Sequence, residues 1–206
     1  MYHKELKKQR AMREDGGVSQ QKHREIAESA ARRAAETGDE YQELVAEGLL
    51  YLSKEDWRRA ARAYREAIAL RPDRPLAYIN LGVALGNSGH KVEAAQRYLE
   101  AKERYPVGSR CWARATAHAF DKLRLTACSE VAKPEWWNDE GLKALSARVL
   151  RAAPNEESAI NMRADVLSGR VPPGDGAWEA GPRSAAEFKE AAAHYDRSAA
   201  CAMLRR

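Results

Sequence analysis

Phenylalanine occurs only twice in 206 residues and cysteine only three times, and β-branched residues are few. Each scarcity excludes something. With so few large rings the core must be thin, although 44% hydrophobic residues suffices to build one. Few β-branched residues beside abundant alanine disfavour sheets. Alanine and unbranched side chains lose little entropy in a helix, so helices are predicted throughout. No run of 18 apolar residues exists, so no membrane-spanning helix is expected. The start, MYHKELKKQRAMRED, is charged and lacks the apolar stretch of a secretory signal. Glu5, Glu14 and Asp15 also argue against an organelle transit peptide. Cys111, Cys128 and Cys201 lie far apart with no CxxC pair. Neither a disulfide framework nor a zinc knuckle is predicted, and a reducing compartment, the cytoplasm, is expected.

A charge of one sign is lacking too. Lysine and arginine number 35 against 30 acidic residues. The net charge is +1 over residues 1–40, +2 over 41–108, +3 over 109–154 and −1 over 155–206. Nucleic-acid binding ordinarily needs a clustered basic patch, so this even mixing ranks a protein partner ahead of it.

Catalytic signatures are missing as well. There is no HExxH, GxSxG or GxxxxGK[ST]. The glycines of GVALGNSG, residues 82–89, follow no predicted strand and read as a helix end with its turn. His118 and Asp121 are three apart, which suits a shared metal, but the plainer reading is a histidine near a helix end. PPGDGAW lacks the spaced oxygen ligands of a calcium loop and reads as a surface turn. Cys111 beside Arg110 reads as an ordinary half-buried thiol. No enzyme, cofactor or metal is expected.

What the chain does have is a repeat. Leu44, Gly48, Tyr51, Ala60, Tyr64, Ala67 and Pro72 recur 34 residues later as Tyr78, Gly82, Leu85, Ala94, Tyr98, Ala101 and Pro106. Each unit reads as two antiparallel helices. Gly48 and Gly82 are small where helices cross, and Tyr64 and Tyr98 fill the gap between units. One unit cannot bury its own faces, so neighbours must stack. Ser53 with Asp56 suggests a capping box before a helix over 54–70. Pro72 and Pro106 close helices, and Gly38, Gly86 and Gly89 mark turns.

The small–small–aromatic–small–proline order of residues 41–108 resembles the tetratricopeptide repeat family. That resemblance implies an all-α fold: an α-solenoid of antiparallel helix pairs in a right-handed superhelix. It also implies a protein-binding role. The predicted organisation is a basic flexible tail (1–18), a capping helix (19–40), repeat units at 41–74 and 75–108, a degenerate third unit at 109–154 with a long loop, and a fourth, repeat-like unit at 155–206 with an insert. In the third unit, Leu142, Ser146 and Val149 hold the small and aromatic positions. In the fourth, Ile160, Ala164 and Leu167 are followed by Ala191, Tyr195 and Ser198. Of the adjacent Trp136 and Trp137, one is expected to plug the third unit and the other to be exposed.

In such repeats the first helices line a concave face. By period that face holds Val45, Leu49, Ile79, Asn80, Val83, Asn87, Arg110, Ala113, Arg114 and Ala117. An apolar floor with a basic end suits a partner peptide or helix that is apolar with an acidic end. Family members that clamp the acidic tails of heat-shock chaperones use five polar residues. Asn80, Arg110 and Arg114 match three of them, while Val45 and Leu49 stand where a lysine and an asparagine belong. The expected function is a non-catalytic interaction scaffold. Two alternatives stay open: a structural subunit of a larger assembly, and a basic helical-repeat protein on RNA, motivated by Lys7, Lys8, Arg10, Arg13 and the arginines of residues 58–65. A groove filled by the chain's own N-terminal helix is a further possibility.

Overall fold

A computed structural model describes residues 21–22, 24–169 and 178–204, and the predicted N-terminal tail and the PPGDG turn lie outside them. Every regular element among the described residues is helical. The chain divides into two compact units, one ending at Ser88 and the other beginning at Gly89.

The first unit contains α1 (24–37), α2 (Glu40–Ser53), α3 (Trp57–Leu70) and α4 (Pro75–Asn87). Local chemistry sets these bounds. Gly38 takes a left-handed φ of 61°, which ends α1, and Asp39 at once caps α2 by accepting from the Tyr41 and Gln42 amides. Pro75 opens α4, where its missing amide hydrogen costs nothing. Pro72 lies two residues beyond the end of α3, where no helix can continue through it. The predicted capping box at Ser53 does not form. Asp56 alone caps α3, accepting from the Arg59 amide at 3.1 Å, while the Ser53 hydroxyl donates back to the Leu50 carbonyl. Gly86 is not in a turn but buried within α4.

Packing in this unit follows the small residues. Consecutive helices α2, α3 and α4 lie against one another. Ala60, Tyr64 and Ala67 are wholly buried on α3, and Gly48 and Gly82 are buried on α2 and α4. The Tyr64 ring lies directly on Gly48: a Cβ there would meet ring carbons at 2.5 Å. Tyr64 therefore seals the crossing within its own helix pair, in addition to any seam role read from the repeat. Burial raises its phenol pKa. On α1, Ala27 and Ala34 are buried while Ile26 is half exposed.

The second unit contains α5 (Lys91–Arg104), α6 (Arg110–Leu123), a 3-10 turn (Thr126–Cys128), α7 (Asp139–Ala152), α8 (Glu157–Ser168) and α9 (Ala185–Leu204). Ser109 caps α6 and Asn138 caps α7, as side-chain acceptors for the Trp112 and Gly141 amides. The reciprocal capping box of the chain is at Ser184 and Glu187. The Glu187 carboxylate accepts from the Ser184 amide at 2.8 Å, and the Ser184 hydroxyl accepts from the Glu187 amide at 3.2 Å. The long connection after α6 is held by Lys133, whose ammonium donates to the Leu123 and Cys128 carbonyls at 2.8 and 2.6 Å.

The core of this unit joins Trp112, Phe120, Leu142, Val149, Met162, Val166 and Trp178. Neither Trp136 nor Trp137 is fully exposed; both are half-buried and pack against this core. The residue that plugs it is Trp178, at the end of the segment read as a surface turn. It is only 3% exposed, with its ring 5.6 Å from Phe120 and 6.1 Å, edge-on, from Trp137. Arg183 anchors the described residues 178–184. Its guanidinium donates to both Asp139 oxygens, at 2.5 and 2.9 Å, and to the Val166 carbonyl. Arg163 ties three helices, donating to the Lys143 carbonyl on α7 and to Glu190 on α9 from its place on α8.

Candidate functional site

The predicted concave-face residues fall in both units. In the first, α2 and α4 carry Val45, Leu49, Ile79, Asn80, Val83 and Asn87. Val45 and Ile79 are buried, at 3% and 2% exposure, and act as packing under that face. Leu49, Asn80 and Val83 are half-buried, and Asn87 is exposed. Those four are what this face presents to solvent.

In the second unit, α6 places Arg110, Arg114, Ala117, Asp121 and Arg124 along one stripe, at intervals of three or four residues. Ala113 and Ala117 are buried between them. The stripe borders a cavity of about 500 Å³ between α6 and α8. Its floor is Ala117, Phe120 and Met162, and its rim includes His118, Asp121, Arg124, Glu156, Asn161 and Asp165. Arg124 binds Asp165 at 3.1 Å, and the Tyr195 hydroxyl donates to the same carboxylate at 2.7 Å. Arg110 reaches Glu156 at 3.1 Å, but its side chain is 78% exposed, so that pair holds it only weakly. Arg114, half-buried between these two, makes no ion pair among the described residues.

Two titrating groups on the rim are shifted. Burial lowers the pKa of His118, and the charge of Arg114 lowers it further, so the ring is neutral near pH 7. It stacks on Tyr98, centroids 5.1 Å apart. Burial pulls Asp121 upward, but the hydrogen bond from Lys122 and the charges of Lys122 and Arg124 outweigh it and keep the carboxylate ionised. His118 and Asp121 gain no third ligand: no group of three or more metal-binding side chains occurs among the described residues. Cys111, Cys128 and Cys201 are free thiols, with Cys128 buried.

The two arginines singled out in the sequence thus lie on the helix that lines the cavity, while the cavity itself is lined from Ala117 onward. The sequence reading missed Arg124, Glu156 and Asp165. Arg124 was legible, since it extends the Arg110–Arg114–Ala117 period. The carboxylates of α8 were not, because nothing local sets which helix faces α6.

Paired helices, with glycine at a crossing and a buried tyrosine on it, define a helical-repeat fold. The comparison with protein families agrees: residues 45–109 match the tetratricopeptide repeat. Repeats of this family serve as protein–protein interaction scaffolds, and the described helices are consistent with them. No curated protein matches the chain. No helix among the described residues is long and apolar enough to cross a membrane.

Proposed function

We propose that the protein is a non-catalytic scaffold that holds an extended or helical peptide of a partner protein on the α6 face of its second unit, with the α6–α8 cavity as its anchoring point. The cavity of about 500 Å³ carries this reading, with Arg114 on the same helix one turn before its Ala117 and His118 lining. An apolar side chain of the partner enters over Ala117, Phe120 and Met162. Burying one such side chain contributes about 1.5–3 kcal/mol. An acidic residue of the partner meets Arg114, whose guanidinium offers a carboxylate two parallel donors. Within the first unit, Leu49, Asn80, Val83 and Asn87 are a separate candidate contact surface. Arg110, held only weakly by Glu156, is a second cation one turn before Arg114 on the same helix. The free thiols favour a reducing, cytoplasmic setting.

Fluorescence anisotropy with a panel of labelled apolar peptides ending in an acidic residue tests the reading. Arg114→Glu should weaken the best binder by tenfold or more, about 1.4 kcal/mol, with the helical circular dichroism unchanged. Equal affinity for the variant and the parent would remove Arg114 from the site.

A further inference from the structure

We infer that the outer crest of α3 binds the phosphate backbone of a single-stranded nucleic acid, on a surface separate from the cavity proposed above. α3 exposes Arg58, Arg59, Arg62 and Arg65 within two turns. At 1.5 Å per residue, Arg58 and Arg65 are about 10 Å apart along the axis. With Asp56 these four arginines line an open cleft of about 550 Å³. The charge is partly answered by the helix's own carboxylates. Arg59 approaches Asp56 at 3.5 Å and Arg62 approaches Glu66 at 2.9 Å. Both arginine side chains are mostly exposed, 68% and 83%, and pairs of that kind are worth about 1 kcal/mol or less. A phosphate with two oxygens for one guanidinium displaces them.

A second cleft, of about 240 Å³, separates α3 from α2. Its walls include Tyr51, with the Arg59 guanidinium 5.7 Å over the ring centroid. Bases unstacked from a single strand pack on aromatic rings and on guanidinium planes. Glu47 and Glu66 line this cleft too. They repel phosphate, which keeps the backbone on the crest and admits only a base. This ring-and-guanidinium cleft favours a nucleic acid over an acidic peptide, which brings carboxylates but no base. A membrane surface needs apolar anchors among the cations. On α3 the large exposed apolar residue is Leu70, at the far end of the helix.

The test is fluorescence anisotropy of a labelled 12-nucleotide oligouridine with the full chain, between 50 and 200 mM potassium chloride. Single strands release about 0.7 counterion per phosphate neutralised, so log K should fall against log salt with a slope of about −2 to −3. Arg58→Glu/Arg62→Glu/Arg65→Glu should cut affinity by about tenfold or more and flatten that slope. Arg148→Glu/Arg151→Glu/Lys189→Glu, which makes the same change in net charge elsewhere, should retain binding. Arg59→Lys should lower affinity with the slope unchanged, because charge is kept and the planar stack is lost. Binding that ignores salt, survives the α3 reversals, or falls equally in the control triple would overturn the inference. So would polyglutamate or phosphatidylserine vesicles competing as well as unlabelled RNA at equal charge.

Discussion

Gly48→Ala has opposite effects in two backgrounds if the Tyr64 contact governs α2–α3 packing. In an open helix the change stabilises by about 1 kcal/mol, because alanine has less backbone entropy to lose. Here the new methyl would stand 2.5 Å from Cε1 and Cζ of Tyr64. Carbon atoms prefer about 3.5–4.0 Å, so the ring or the helix must move by about 1 Å. Tyr64 is wholly buried and has nowhere to retreat. Overpacking of this kind costs about 1–3 kcal/mol, which exceeds the helix gain. The expected net loss is about 1 kcal/mol, or about 2–4 °C in melting temperature for a chain of this size. With Tyr64→Leu the clash is gone, and Gly48→Ala should then stabilise by about 0.5–1 kcal/mol. Urea and thermal unfolding by circular dichroism on the four proteins of this cycle give both numbers. A stabilising Gly48→Ala in the parent, or the same sign in both backgrounds, would refute the packing argument.

Two further perturbations probe the second unit. The Arg183 guanidinium holds the Asp139 pKa down at about 2, with Lys143 helping. The folded value lies below the unfolded one, so this stabilisation is complete above about pH 5 and is lost as pH falls toward 2. The stabilisation lost over that range is on the order of 1–2 kcal/mol. Urea midpoints between pH 6 and pH 2.5 should therefore fall less steeply in Asp139→Asn, and an unchanged slope would mean that the pair does not couple to folding. Trp178→Ala should cost about 3–5 kcal/mol and remove a blue-shifted component from the tryptophan emission. A loss below 1 kcal/mol would show that the 178–184 segment is not part of the core.

Much of the fold was legible because its rules are local. The 34-residue recurrence of small and aromatic residues marked the α2–α3 pair and the helical segments α4 and α5, since a residue's place on a helix face follows from its number alone. Pro72 and Pro106 marked the ends of α3 and α5. The capping box was misplaced because Ser53 and Asp56 have the spacing but Asp56 is itself the cap. The true box, at Ser184, was hidden behind an insert that has no repeat register.

Sequence alone determined the class of the protein and the α6 stripe that carries Arg110 and Arg114, because helical period and side-chain size act over a few residues. Only the tertiary structure decided what surrounds those arginines. The partner of Arg110 is Glu156, 46 positions away, and the anchor of the last insert is a tryptophan whose neighbours come from two other helices and the loop between them. Such pairings depend on where whole helices come to rest. That is set by the sum of many weak packing contacts, which no short stretch of sequence contains.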